Sequence, residues 1–94
     1  MLSQTPLDLS KVKKEDIDKE IMRIGMIAEL DAVNLYEQLA AMAQDRGLKK
    51  TLFDIAKEEK THIGEFEALL LINDPEQVSE NAKAQGEIKK ILSE

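Results

Sequence analysis

Residues 58–66 read Glu-Glu-Lys-Thr-His-Ile-Gly-Glu-Phe and contain Glu59 and His62, three positions apart. On an α-helix, side chains three positions apart lie on the same face, so both can reach a single point. A carboxylate oxygen and an imidazole nitrogen together suit a first-row transition metal ion such as iron. This stretch therefore predicts a helix that carries part of a metal site.

The neighbours of this pair indicate which way it faces. Positions that step along the helix by four and three, on both sides of the pair, are apolar: Leu48, Leu52, Ile55, Phe66 and Leu69. A buried carboxylate without a partner is costly. The stripe therefore predicts that Glu59 and His62 face inward and need a partner such as a metal ion.

Helical periodicity along most of the chain predicts an all-α fold, and no segment reads as a strand. Pro6 restricts the residue before it to extended geometry, so the first residues are predicted to be an extended lead-in. The expected elements are the lead-in 1–12, helix one 13–45, helix two 48–72 and helix three 75–92. Together they predict a single domain over residues 1–94.

The junctions between the helices carry their own signals. Gly47 is predicted to end helix one in the left-handed C′ conformation. Asp74 is predicted to cap helix three, with Pro75 at its first position. Because almost no chain separates helices one and two, they must form an antiparallel hairpin. In that register Glu29 lies roughly 5 Å along the axis from His62 and becomes the natural third ligand.

Helix one is apolar on most sides between Ile24 and Ala43, which predicts burial by more than one neighbour. Gly25 lies within it. This glycine either weakens the helix by about 1 kcal/mol relative to alanine or permits a close helix contact.

Composition narrows the classes of function. The chain has 94 residues, no cysteine and a formal charge of −6. The lack of cysteine excludes disulfides and thiolate metal sites, and the lack of a basic run argues against nucleic acid. No apolar run approaches the roughly 18 residues of a membrane span, and the N-terminus has no signal-peptide pattern. We therefore expect a cytoplasmic protein with oxygen and nitrogen ligands, in a domain small enough to gain from self-association.

Each candidate site residue also has a structural interpretation. Glu29 alone could be a glutamate at the edge of the apolar surface, but a metal role is favoured with Glu59 and His62 at matching depth. Tyr36, two turns after Glu29, would tilt its hydroxyl back toward the site. It is equally well explained as a core tyrosine. For Asp31 a partly exposed charge is favoured over a role in guiding cations inward.

A count of ligands connects these residues to a known architecture. Ferritin-like di-iron bundles use one glutamate from each of two helices and one Glu-x-x-His pair from each of the other two. This chain offers one of each, so it carries half of such a site. The sequence therefore predicts an antiparallel hairpin with a shorter C-terminal helix, which dimerises into a ferritin-like four-helix bundle with six ligands.

The stretches 28–38, 58–66 and 74–78 resemble the encapsulated ferritins, or half-ferritins. The first reads Ala-Glu-Leu-Asp-Ala-Val-Asn-Leu-Tyr-Glu-Gln and the last Asp-Pro-Glu-Gln-Val. The likeness covers about residues 13–80. It is strongest to the form found as the N-terminal domain of archaeal encapsulin fusions.

The resemblance implies that Glu29, Glu59 and His62 are di-iron ligands with Tyr36 beside them. It also implies that the centre forms between two chains and that dimers assemble into a ring, a decamer in the family. Such proteins are ferroxidases, which oxidise Fe(II) for storage inside an encapsulin nanocompartment. Calcium, zinc or manganese are further cations expected at the same or outer sites.

The chain departs from the family in two places. Many members carry an acidic residue and an aromatic, which form an outer cation-entry site, at the positions of Ala28 and Leu35. Of that outer site only Asp31 remains. No encapsulin-targeting tail is recognisable in residues 91–94, so we expect either no tail or a shell domain that follows this segment.

Two other functions fit the same pattern. The first is a non-catalytic helical-hairpin module for assembly or cargo, with a structural metal site. The second is a rubrerythrin-like peroxidase, which is disfavoured because no cysteine is present for a rubredoxin iron.

Overall fold

The computed structural model describes residues 8–94, so residues 1–7 of the predicted lead-in lie outside it. The chain forms three α-helices, which are α1 (Ile17–Met42), α2 (Arg46–Asn73) and α3 (Pro75–Leu92). No strand occurs between residues 8 and 94. The predicted all-α class is confirmed.

The N-terminal end differs from the prediction. Helix α1 begins at Ile17 and not at residue 13, because Lys14–Asp16 forms a 3-10 turn. Leu9–Lys11 is also a 3-10 turn and not extended. Its first backbone N–H groups find a side-chain partner, since Ser10 N–H donates to Asp8 Oδ1 at 3.1 Å. Such local bonds from aspartate compete with extended geometry.

The turn between α1 and α2 is tighter than predicted. Helix α1 ends at Met42 and not at residue 45. Gly47 lies in the first turn of α2, and no described glycine has a positive φ, so the predicted left-handed C′ conformation is wrong. The physical reason is Asp45, whose Oδ2 accepts the Leu48 N–H at 2.8 Å and caps α2. Residues 43–45 alone connect the helices, which pack as the predicted antiparallel hairpin.

Helix α3 begins as predicted. Asp74 Oδ1 accepts the Gln77 N–H at 3.1 Å, and Pro75 occupies the first helical position. Arg23 Nη2 on α1 donates to Asp74 Oδ2 at 2.9 Å, so the cap also joins α3 to the hairpin. The backbone N–H of Gln77 holds the pKa of Asp74 below its ordinary 3.8, and the Arg23 hydrogen bond acts in the same direction.

Helix α3 is anchored only near this cap. Every residue from 82 to 94 is exposed, so the C-terminal half of the helix projects from the hairpin. The large apolar side chains that α3 leaves exposed are Val78, Ile88, Ile91 and Leu92.

The seam between α1 and α2 is the only tightly packed region among the described residues. Its buried apolar side chains are Val33, Ala40, Ala56 and Leu70. Large apolar side chains elsewhere on the hairpin remain exposed: Ile21, Ile27, Leu30, Leu39, Met42, Leu48, Phe53, Leu69 and Ile72. Exposed large apolar side chains in this number favour an interaction surface. The hairpin therefore presents apolar surface that the described part of the chain does not cover.

Candidate metal centre

The structure brings the three predicted ligands to one point. Helix α1 supplies Glu29, and α2 supplies Glu59 and His62 on a single helical face. His62 Nδ1 lies 3.4 Å from Glu29 Oε2 and 3.3 Å from Glu59 Oε2. One potential ligand atom from each residue lies within 4.8 Å of the others. The short turn at residues 43–45 sets this register, because it fixes which levels of the two helices face each other.

Burial differs among the three residues. The side chains of Glu29 and Glu59 are 21% and 19% exposed, whereas His62 is 47% exposed. The prediction that the Glu59–His62 pair faces inward therefore needs a correction, since within one chain His62 stands at an open face. The apolar stripe around it is open as well, with Leu48 and Leu69 about half exposed. A helical apolar stripe identifies a face that is stabilised by burial, and the residues that bury it need not belong to the same chain.

This set of donor atoms suits a divalent cation. Two carboxylates and one imidazole offer hard oxygens and a borderline nitrogen, which fit iron, manganese or zinc. A neutral imidazole is required for ligation. The two carboxylates then bring two negative charges to one point, and a cation offsets their repulsion. Three ligands from one chain still leave a six-coordinate metal ion incomplete.

An open pocket adjoins the ligands. It encloses about 310 Å³ and is lined by Glu29, His62, Glu65, Phe66 and Leu69. Neither Glu65 nor Phe66 is among the site residues predicted from the sequence, where Phe66 is only a member of the apolar stripe. Their spacing was the available signal, since residues three and four positions after His62 share its helical face.

Gly25 and Phe66 make a close contact next to the ligands. A Cβ atom built on Gly25 would lie 2.7 Å from Cε1 and Cζ of the Phe66 ring. Of the two interpretations of Gly25 in the sequence, the close helix contact is the one found.

Tyr36 and Asp31 lie on α1 and are both half-buried. Within residues 8–94 Asp31 is not a member of the three-residue ligand group. Tyr36 stays two turns from Glu29 along α1, and its proposed place beside the metal remains a prediction.

None of the described helices is both long and apolar enough to cross a membrane.

Comparisons with known proteins agree with the helical fold. The ferritin-like-encapsulin shell fusion protein of Pyrococcus furiosus is 49% identical over an alignment that covers 97% of this chain. The chain spans only 27% of the length of that relative. The crystal structure of the encapsulated ferritin domain from Pyrococcus furiosus matches with a TM-score of 0.84 and 45% identity. That match covers 100% of this chain and 98% of the domain. No protein-family model matches the chain.

Proposed function

This chain belongs to the encapsulated ferritin family, and we propose that it is a ferroxidase that oxidises Fe(II) to Fe(III). The di-iron centre of this proposal is shared between two copies of the chain. Iron is the substrate, and Glu29, Glu59 and His62 are the residues that bind it.

The observation that carries the proposal is the convergence of these three ligands on an open face. Their ligand atoms lie within 4.8 Å of one another, yet His62 remains 47% exposed and exposed leucines lie on the same helical face. A structural site held by one chain would be closed around its metal ion. Half of a ferritin-like ligand set on an uncovered apolar face instead suits completion by a second chain.

A two-fold axis through the open face would give Glu29, Glu59 and His62 different roles in iron binding. Such an axis makes every contact reciprocal, and a residue that lies close to the axis faces its own copy. We assign Glu59 to that place, where the two Glu59 carboxylates would bridge the irons. Each iron would be capped by one Glu29 and one His62, with the imidazole neutral and its lone pair directed at the metal.

The proposed oxidant is dioxygen. Two Fe(II) ions each lose one electron to become Fe(III), and one O2 with two protons takes up both electrons to become H2O2. The chain contributes by holding both irons so that the two electrons leave together, and its carboxylates stabilise the increased positive charge of the product ions.

The setting is also part of the proposal. The curated relative is a fusion to an encapsulin shell. We propose that this domain likewise works inside an encapsulin compartment in the cytoplasm, as a ring built of dimers that passes Fe(III) on for storage. Partners are therefore other copies of the chain and the shell, with no nucleic acid or membrane.

A direct assay separates this function from the two alternatives. Fe(II) is added to the aerobic protein while dissolved oxygen and Fe(III) absorbance are followed. We expect oxygen uptake that requires the protein and is faster than the oxidation of the same amount of Fe(II) without protein. A colourless protein without oxygen uptake would favour the non-catalytic assembly or cargo module with a structural metal site. Turnover that requires peroxide would favour the peroxidase.

A further inference from the structure

The contact between Gly25 and Phe66 lies one helical turn from the ligands on both helices. Gly25 precedes Glu29 by four residues on α1, and Phe66 follows His62 by four residues on α2. Residues four apart are neighbours on a helix surface. Since α1 and α2 are antiparallel, the Gly25–Phe66 pair forms the layer next to the Glu29–His62 pair.

The ring of Phe66 fills a notch that only glycine leaves open. Three ring atoms, Cε1, Cζ and Cε2, would lie 2.7, 2.7 and 2.8 Å from a Cβ at Gly25. Ordinary van der Waals contact begins at 3.4 Å, so a methyl group there would displace the ring or the helix by several tenths of an ångström. The ring also lines the pocket that contains Glu29 and His62, and that pocket is the open space beside it.

We propose that Phe66, seated against Gly25, is a positioning residue of the metal centre that fixes the spacing of α1 and α2 where Glu29 meets His62. This inference rests on the proposed function. Metal–ligand distances tolerate only about 0.2 Å of error. A shift of several tenths of an ångström that reaches the backbone of α1 or α2 in the neighbouring layer would exceed that tolerance.

The glycines of this chain provide a matched control. Gly64 lies on α2 two positions after His62, and a Cβ there would meet nothing within 4 Å. Alanine at Gly64 changes helix propensity next to the site without a new contact. Alanine at Gly25 makes the same chemical change against the Phe66 ring. Any difference between the two variants therefore reports the contact.

The test measures Co(II) binding to the full chain under nitrogen by visible absorption, whose bands report ligand geometry. We expect Gly25→Ala to weaken Co(II) binding by about 10-fold or more and to shift the bands. Gly64→Ala should bind as the wild type does. The double variant Gly25→Ala/Phe66→Leu should regain most of the affinity, because the smaller side chain makes room for the methyl group. Circular dichroism checks that each variant is helical.

A second single variant keeps the test decisive if Gly25→Ala does not fold. Phe66→Leu leaves the notch partly empty and should weaken Co(II) binding with helix content intact. Co(II) affinity and absorption bands equal to the wild type in folded Gly25→Ala or in Phe66→Leu would overturn this inference and leave the proposed function standing. So would a double variant no better than Gly25→Ala. A wild-type protein that binds neither Co(II) nor Fe(II) would overturn the proposed function, and this inference with it.

Discussion

At the residue scale, the chemistry of the candidate centre depends on a histidine nitrogen held between two carboxylates. His62 Nδ1 is within 3.4 Å of oxygens from both Glu29 and Glu59. The carboxylates come from different helices, so the arrangement exists only in the folded hairpin. The buried side chains of the seam are all apolar and include none of these three residues, so we expect the seam to persist when a single ligand is removed.

The first prediction concerns these ligands. We expect Glu59→Ala or His62→Ala to lower the rate of Fe(II) oxidation by at least about 10-fold, since few ligands hold the substrate. Helix content should be unchanged. Stopped-flow absorbance after mixing with Fe(II) measures the rate, and circular dichroism measures the fold. The control is Glu58→Ala, an exposed glutamate one position away. Rates equal to the wild type in both ligand variants would rule the site out.

A second prediction concerns Tyr36, half-buried on α1. Tyr36→Phe retains the ring that packs, so iron stoichiometry should stay the same. The loss of a hydroxyl that we predict to lie beside the irons should change the oxidation rate. Iron binding under nitrogen and oxidation in air are measured on the same sample. Reduced metal occupancy in this variant would show that Tyr36 is a ligand or a structural residue.

At the element scale, Asp74 joins all three helices. It follows α2, caps α3 through Gln77 N–H and accepts a hydrogen bond from Arg23 of α1. These interactions lower the pKa of Asp74 below 3.8 in the folded chain. A lowered folded pKa stabilises the fold above the unfolded pKa, and that stabilisation is lost as pH falls through the folded value.

The third prediction tests this dependence on pH. Asp74→Asn keeps a good capping side chain but loses the charge that faces Arg23. We expect the variant to be less stable than the wild type at pH 7 in urea denaturation. The difference should shrink as pH falls below 3.8 and vanish below the lowered pKa. Other carboxylates titrate equally in both proteins and cancel. A difference that stays constant into acid would contradict the role of the Asp74 charge.

Much of the helical layout could be predicted from the sequence, and the turn shows why its ends could not. The Asp45-Arg46-Gly47 segment carries two competing signals. Glycine after a helix favours a left-handed end, whereas aspartate three residues before Leu48 favours a new N-cap. The chain uses the second signal. Both signals are local and similar in strength, so packing decides between them, and packing is not visible in one sequence.

The convergence of Glu29, Glu59 and His62 could be predicted, but their surroundings could not. Spacing along α2 paired Glu59 with His62, and the short turn placed Glu29 at their level. The notch at Gly25 depends on the rotation of both helices about their axes. Two helices can meet at the same level with different rotations, and only one of these places the Phe66 ring against the glycine.

At the scale of the whole molecule, a partial set of candidate metal ligands lies on an apolar face that the described part of the chain leaves uncovered. The proposed ligand set is half of a ferritin-like set. The face that carries it leaves His62 and Leu69 about half exposed. A second copy related by a two-fold axis would cover the leucines and complete the ligands in one contact. Without metal the same contact would bring four carboxylates together, which repel or must take up protons.

The fourth prediction follows from that balance, and it tests the shared centre most directly. Iron removes the repulsion and adds bonds that exist only between chains, so it should drive assembly by mass action. Apo protein is titrated with Fe(II) under nitrogen and followed by native mass spectrometry. We expect the distribution to move from monomers to multimers of even chain number, with about one iron per chain at saturation. A distribution unchanged by iron, with the iron bound to monomers, would contradict a centre shared between two chains.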